Sequence, residues 1–126
     1  MTLILDAGAF IAVERAERDV IALIKAERLS GRSPITHGGV IAQIWRGGHG
    51  RQAEIARLLR GVDTAALDEA LGRRAGVLIG QSGRHDAIDA ALVCLAADGD
   101  LILTSDTDDL RPLAESAGTH VELVPV

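Results

Sequence analysis

Two short runs constrain this chain more than any other feature. Leu3-Ile4-Leu5 and Leu101-Ile102-Leu103-Thr104 are apolar at almost every successive position, and each is followed within two residues by an aspartate and then by a helical pattern. A strand with no polar alternation has no face to offer water, so both of its faces must be covered. Short apolar strands alternating with helices indicate a parallel sheet enclosed by helices on both sides. The expected fold class is therefore α/β, and its expected layout is a three-layer α/β/α sandwich around a short-stranded sheet.

The remaining segments fit that frame. Apolar spacing predicts helices over residues 8–16, 19–30, 40–45, 51–60, 67–80, 86–98 and 107–117. Asp19 is the expected N-cap of the second helix and Gly31 its stop. Residues 33–36 and 121–124 read as two further strands, giving four in all. No repeat, linker or low-complexity stretch interrupts the pattern, and 126 residues suit one domain spanning 1–126.

Composition narrows the function. The net charge of −5 argues against a broad basic surface, though not against a local basic patch. Cys94 is the only cysteine, so neither a disulfide framework nor a multi-thiolate zinc site can form within the chain. Aromatic residues are 2%, represented by Phe10 and Trp45, which argues against a base-stacking platform of the kind single-strand binders use. Trp45 is expected in the core or at a dimer interface rather than as a base-stacking platform, and Cys94, among Val93, Leu95 and Ala96, in the core. No apolar run approaches the roughly 20 residues of a membrane span. Met1 leads into Leu3-Ile4-Leu5 without a basic leader region, so a cytoplasmic address is expected.

Carboxylates gather at equivalent positions. Asp6 follows the first strand, Asp106 follows the strand at 101–104, and Asp108 and Asp109 come next. Asp86 and Asp89 are three apart and share one face at the start of a helix. Every one of them also suits an N-cap, the simplest reading for any single aspartate. Jointly they suggest more. In a parallel sheet the C-terminal strand ends share one edge, where ligands bind at the topological switch point. Carboxylates converging there repel one another. A hard divalent cation such as Mg²⁺ or Mn²⁺, which prefers oxygen ligands, would offset that repulsion.

The motifs also resemble a known family. Leu3-Ile4-Leu5-Asp6-Ala7-Gly8-Ala9-Phe10-Ile11-Ala12 is similar to the first motif of PIN-domain proteins. Asp89-Ala90-Ala91-Leu92-Val93, preceded by Asp86, resembles their third acidic motif, and Thr104-Ser105-Asp106-Thr107-Asp108-Asp109-Leu110 their fourth. Size and motif order resemble the VapC-type toxins of bacterial toxin–antitoxin modules. The resemblance implies a Mg²⁺- or Mn²⁺-dependent ribonuclease, a small antitoxin partner and a homodimer. It implies Asp6, Asp89 and Asp106 as metal ligands, with Asp86 and Asp109 beside them as further catalytic candidates; Asp86 and Asp89 are alternative matches to one family position, and Ala90 with the apolar run after it favours Asp89. One position departs from the pattern: where the family's second acid usually stands, within Val40 to Gly47, this chain has Gln43. An amide supplies an oxygen but no charge, which implies weaker metal binding, a single ion, or a PIN-like binding module without catalysis. Glu14 could compensate only from a suitable position.

Other residues are weighed against plainer roles. Thr104 and Ser105 either orient Asp106 or bond the backbone. Arg46, His49 and Arg51 border a glycine-rich loop and either meet phosphate or are solvated. Together with Arg57, Arg60, Arg73, Arg74 and Arg84 these arginines are candidates for a basic rim. His85, beside Asp86, is a candidate acid/base, whereas His37 and His120 show no ligand spacing. Phosphoryl-transfer domains that also place Asp after the first strand fit poorly. The only lysine is Lys25, in an early helix, and the residue two after Asp6 is Gly8 rather than Asp.

Overall fold

The computed structural model describes residues 1–126. Five strands form one wholly parallel sheet: β1 (Leu3–Leu5), β2 (Ile35–His37), β3 (Asp63–Ala65), β4 (Leu101–Thr104) and β5 (Glu122–Pro125), in the spatial order β3-β2-β1-β4-β5. The chain steps outward from β1 through β2 to β3, then returns to the other side of β1. The switch point therefore lies between β1 and β4, the two strands that the apolar runs identify. Leu3, Ile4 and Leu5 are wholly buried, as are Ile102 and Leu103.

Helices cover both faces. On one side pack α1 (Ala7–Glu14), α2 (Arg18–Leu29), α3 (Gly38–Ile44) and α4 (Gln52–Leu59). On the other pack α5 (Glu69–Ser82), α6 (Ala87–Cys94) and α7 (Thr107–Ala117). α1 and α6 are apolar nearly all round, because each is pressed between the sheet and outer helices. No helix is long and apolar enough to cross a membrane.

Four details depart from expectation. β3 is an additional strand: Asp63-Thr64-Ala65 has no apolar run, because an edge strand with exposed side chains needs none. α2 begins at Arg18 behind Glu17, which makes no side-chain cap. Asp19 falls instead within the first turn, where a carboxylate favours the helix dipole. α6 stops at Cys94 rather than 98, and a turn through Gly99, at φ +88°, leads into β4. α1 likewise ends at Glu14, ahead of Ala16 at φ +58°.

The N-terminal edge of the sheet is closed by a buried acid. Asp100 accepts the Thr2 N–H at 2.8 Å through Oδ1 and the Ala97 N–H at 2.8 Å through Oδ2, pinning the start of β1 to the turn before β4.

Candidate metal centre

The opposite edge collects the other carboxylates. Asp6 caps α1, with Oδ1 accepting the Ala7 N–H at 2.8 Å. Its Oδ2 accepts from the Thr104 hydroxyl at 2.6 Å, and Thr104 Oγ1 in turn accepts the Asp106 N–H at 2.9 Å. Thr104 thus links the ends of β1 and β4 and fixes the approach of both aspartates. Both roles weighed for it are met in one hydroxyl: it bonds the backbone at Asp106 and donates to the Asp6 carboxylate. Ser105 instead lines the close approach of α1. A Cβ on Gly8 would stand 2.9 Å from the Ser105 backbone nitrogen, so only glycine lets the two strand ends meet this closely.

Asp86 and Asp89 divide their roles. Asp86 is exposed and caps α6, its Oδ1 accepting the N–H groups of Ile88 at 2.9 Å and Asp89 at 3.0 Å. Asp89 is buried and accepts no hydrogen bond through its side chain. Burial pushes its carboxyl up to about 7, and the charges of Asp86, Asp6, Asp106 and Asp109 add to the rise. Asp106 occupies the N-cap position of α7 without capping it. Its carboxyl is also raised, first by desolvation and then by Asp6, Asp109 and Asp86. Asp109 pairs with Arg84 at 2.8 Å, tying the α5–α6 turn to α7.

Five carboxylates from three chain segments therefore share one electrostatic neighbourhood. A cleft of about 320 Å³ opens beside them, lined by Arg84, His85, Asp86, Asp89 and Asp109. A hollow of about 420 Å³ beside Cys94 lies near the far end of α7 and holds no converging acids, so size does not mark the site. The donors match a hard divalent cation in kind, being carboxylate oxygens, of which those of Asp89 and Asp106 have no hydrogen-bond partner. They stand apart, however: no three His, Cys, Asp or Glu side chains gather closely enough to hold an ion.

The other expected participants lie elsewhere. Gln43 is exposed on α3 and makes no side-chain hydrogen bond. Glu14 ends α1 about 12 Å along the helix from Asp6, and it is not among the charges that raise Asp89 or Asp106. Of the suggested basic rim only Arg84 lines the carboxylate cleft. Arg57 pairs with Glu54, Arg73 with Glu69, and Arg74 donates to the Cys94 carbonyl. His85 is exposed at the cleft mouth. Cys94 is half-buried rather than enclosed, and burial pushes its thiol up. Trp45 is not in the core: it is 38% exposed.

One contributor went unrecognised. His37, wholly buried at the end of β2, accepts the Gly39 N–H at Nδ1 and contacts the Ile88 carbonyl through Nε2 at 3.0 Å. Desolvation lowers its pKa, so the ring is neutral and Nε2 is the donor. It locks the start of α3 to α6, the helix that carries Asp89. Its position immediately after a strand and before Gly38-Gly39 was the available signal.

No protein-family model matches the sequence, and no curated protein sequence does. The fold itself has solved counterparts. The crystal structure of VapBC2 from Rickettsia felis bound to a DNA fragment from their promoter contains a chain that superposes with a TM-score of 0.69. The match covers 98% of each chain at 10% sequence identity. The architecture is thus a PIN-like three-layer α/β/α fold with a five-stranded parallel sheet.

Proposed function

We propose that this chain is a Mg²⁺- or Mn²⁺-dependent endoribonuclease that acts as the toxin of a toxin–antitoxin pair. The observation that carries the reading is the mutual charge influence of Asp6, Asp86, Asp89, Asp106 and Asp109 beside the C-terminal ends of β1 and β4, with Asp89 and Asp106 left without compensating partners. The fold shared with a chain of a VapBC structure supports the same class. A small antitoxin and a second copy of the chain are the partners this reading carries, with RNA as substrate.

In this reading Asp6, Asp89 and Asp106 would hold the ion, with Asp86 and Asp109 as further carboxylates of the same neighbourhood. Such an ion, when bound, would supply the charge that polarises a phosphodiester and activates water. The chain's own residues do the positioning. Thr104 holds Asp6 and Asp106 in register, Gly8 admits the close approach of α1, and His37 secures α6 against α3. Arg84, the cation of the cleft, holds Asp109 and offers its guanidinium to a substrate phosphate. Gln43 brings no charge, so one ion rather than two is the expected load.

A second reading is a PIN-like module that binds protein partners without catalysis. The solvent-facing Gln43 and the separation of the carboxylates favour it. Cleavage of RNA with and without Mg²⁺ or Mn²⁺ separates the two. Metal-dependent cutting that falls at least about a hundredfold in both Asp6→Ala and Asp106→Ala supports the nuclease. Equal cutting by the variants indicates a contaminant, and no cutting by the unaltered protein favours the binding module.

A further inference from the structure

We infer that the α3–α4 loop, centred on Trp45, is a docking surface for a single strand of RNA approaching the acidic edge. The identity of the strand as RNA rests on the nuclease reading; the surface itself is argued from different residues.

Charge is unevenly distributed along this acidic chain. From Arg28 to Ala53 there is no aspartate or glutamate, and the stretch carries Arg28, Arg32, Arg46 and Arg51. Arg32 is spent on Glu27. Arg46 and Arg51 bracket the loop and are both exposed, as is His49 between them. A phosphate backbone repelled by the carboxylates meets favourable charge here.

The loop is built rather than loose. The Gln52 side chain organises it: Oε1 accepts the N–H groups of Arg46 at 2.7 Å and Gly48 at 3.2 Å, and Nε2 donates to the Ile44 carbonyl at 2.6 Å. The Arg46 guanidinium donates to the backbone carbonyls of Ala42 and Trp45, which holds its charge at the end of α3. Gly48, at φ +78°, lies against the six-membered ring of Trp45. A Cβ there would come within 2.6 Å of the ring. Glycine at 48 therefore seats the indole on the backbone while leaving the residue 38% exposed.

Trp45 is the chain's one tryptophan, and Phe10, the other aromatic, is fully buried. A single exposed indole on a loop that carries two exposed arginines matches one nucleobase and its neighbouring phosphates. It does not amount to a platform for successive bases. α3 connects the loop to the catalytic edge over about 10 Å. His37 locks the near end of that helix to α6.

The chain has no tyrosine, so its intrinsic fluorescence reports Trp45 directly. The test titrates the full chain in EDTA with an unstructured oligoribonucleotide of about ten nucleotides. The expected result is saturable quenching whose affinity falls with salt. Arg51→Gln lowers the slope of log K against log salt by about 0.7. Trp45→Leu, followed by anisotropy of a labelled strand, weakens binding at least roughly fivefold, and Trp45→Phe restores most of it. Equal melting temperatures for the variants show that the loop change is local.

Binding without quenching, or unchanged affinity in Trp45→Leu, overturns the inference. So does emission that follows protein dilution but not RNA, which would assign the surface to a second copy of the chain. Quenching without metal-dependent cleavage removes the nuclease and keeps this surface. Cleavage with an unperturbed Trp45 does the reverse.

Discussion

Asp89 and Asp100 are equally hidden, each 8% exposed, but they stand at opposite ends of the sheet in opposite electrostatic circumstances. Asp100 gives both oxygens to backbone N–H groups. Asp89 accepts no hydrogen bond and faces four other carboxylates, and its proton leaves only near pH 7. Burial is common to both, so burial does not make a site. What differs is the pairing: Asp100 is a clasp held by two N–H groups, whereas Asp89 has no such partner and carries charge that a cation would relieve.

The clasp gives the largest expected effect. Asp100→Ala strands the N–H groups of Thr2 and Ala97 and should cost about 3 kcal/mol in urea unfolding. RNA turnover per folded molecule should not change. A loss below about 1 kcal/mol would mean that Asp100 is not the clasp described.

Gly8→Ala probes the other edge by packing alone. The added methyl meets the Ser105 backbone, so a loss of about 2 kcal/mol is expected, together with a drop in metal affinity. A stability loss with unchanged metal affinity would separate the close approach from the site.

Asp89→Asn should act in the opposite direction to Asp100→Ala. The unfolded carboxyl titrates near 3.8 and the folded one near 7. Below about 4 both forms are protonated and the residue carries no charge penalty. Between those values the unfolded chain releases a proton that the folded chain retains, so the penalty grows with pH and is complete above about 7. The span sets a ceiling of about 4 kcal/mol, and water reaching the carboxylate reduces it. Metal-free Asp89→Asn should therefore be more stable than the unaltered protein by about 1–2 kcal/mol at pH 8, with the gain vanishing near pH 4. Thermal melts across that range check the sign. A destabilised variant at pH 8 would show that Asp89 has a partner after all.

Arg84→Ala should move stability least, by under about 1 kcal/mol, because the Arg84–Asp109 pair is solvated. Its effect should appear instead as a raised KM for RNA. A change in kcat alone would contradict phosphate contact as its role.

What the sequence disclosed follows the same division. The two inner strands and the aspartates after them were legible, because an apolar strand ending in an acid is a local pattern. The meeting of Asp6 and Asp106 followed from parallel topology alone. β3 was not legible, since Asp63-Thr64-Ala65 at a sheet edge buries too little to leave an apolar signature. The role of Thr104 was open between two readings because a hydroxyl's partner depends on a strand 98 residues away. The arginines of the expected basic rim divide for a related reason: arginine counts do not reveal that Arg57, Arg73 and Arg74 are engaged nearby while Arg84 reaches the carboxylate cleft.

The central claim is that the carboxylates of the β1/β4 edge share an ion. Calorimetric titration of the metal-free protein with Mn²⁺ tests it most directly. The account predicts saturable uptake of one ion per chain, abolished in Asp6→Asn, Asp89→Asn and Asp106→Asn and preserved in Asp100→Asn. No heat of binding in the unaltered protein, or uptake indifferent to those three substitutions, would contradict it.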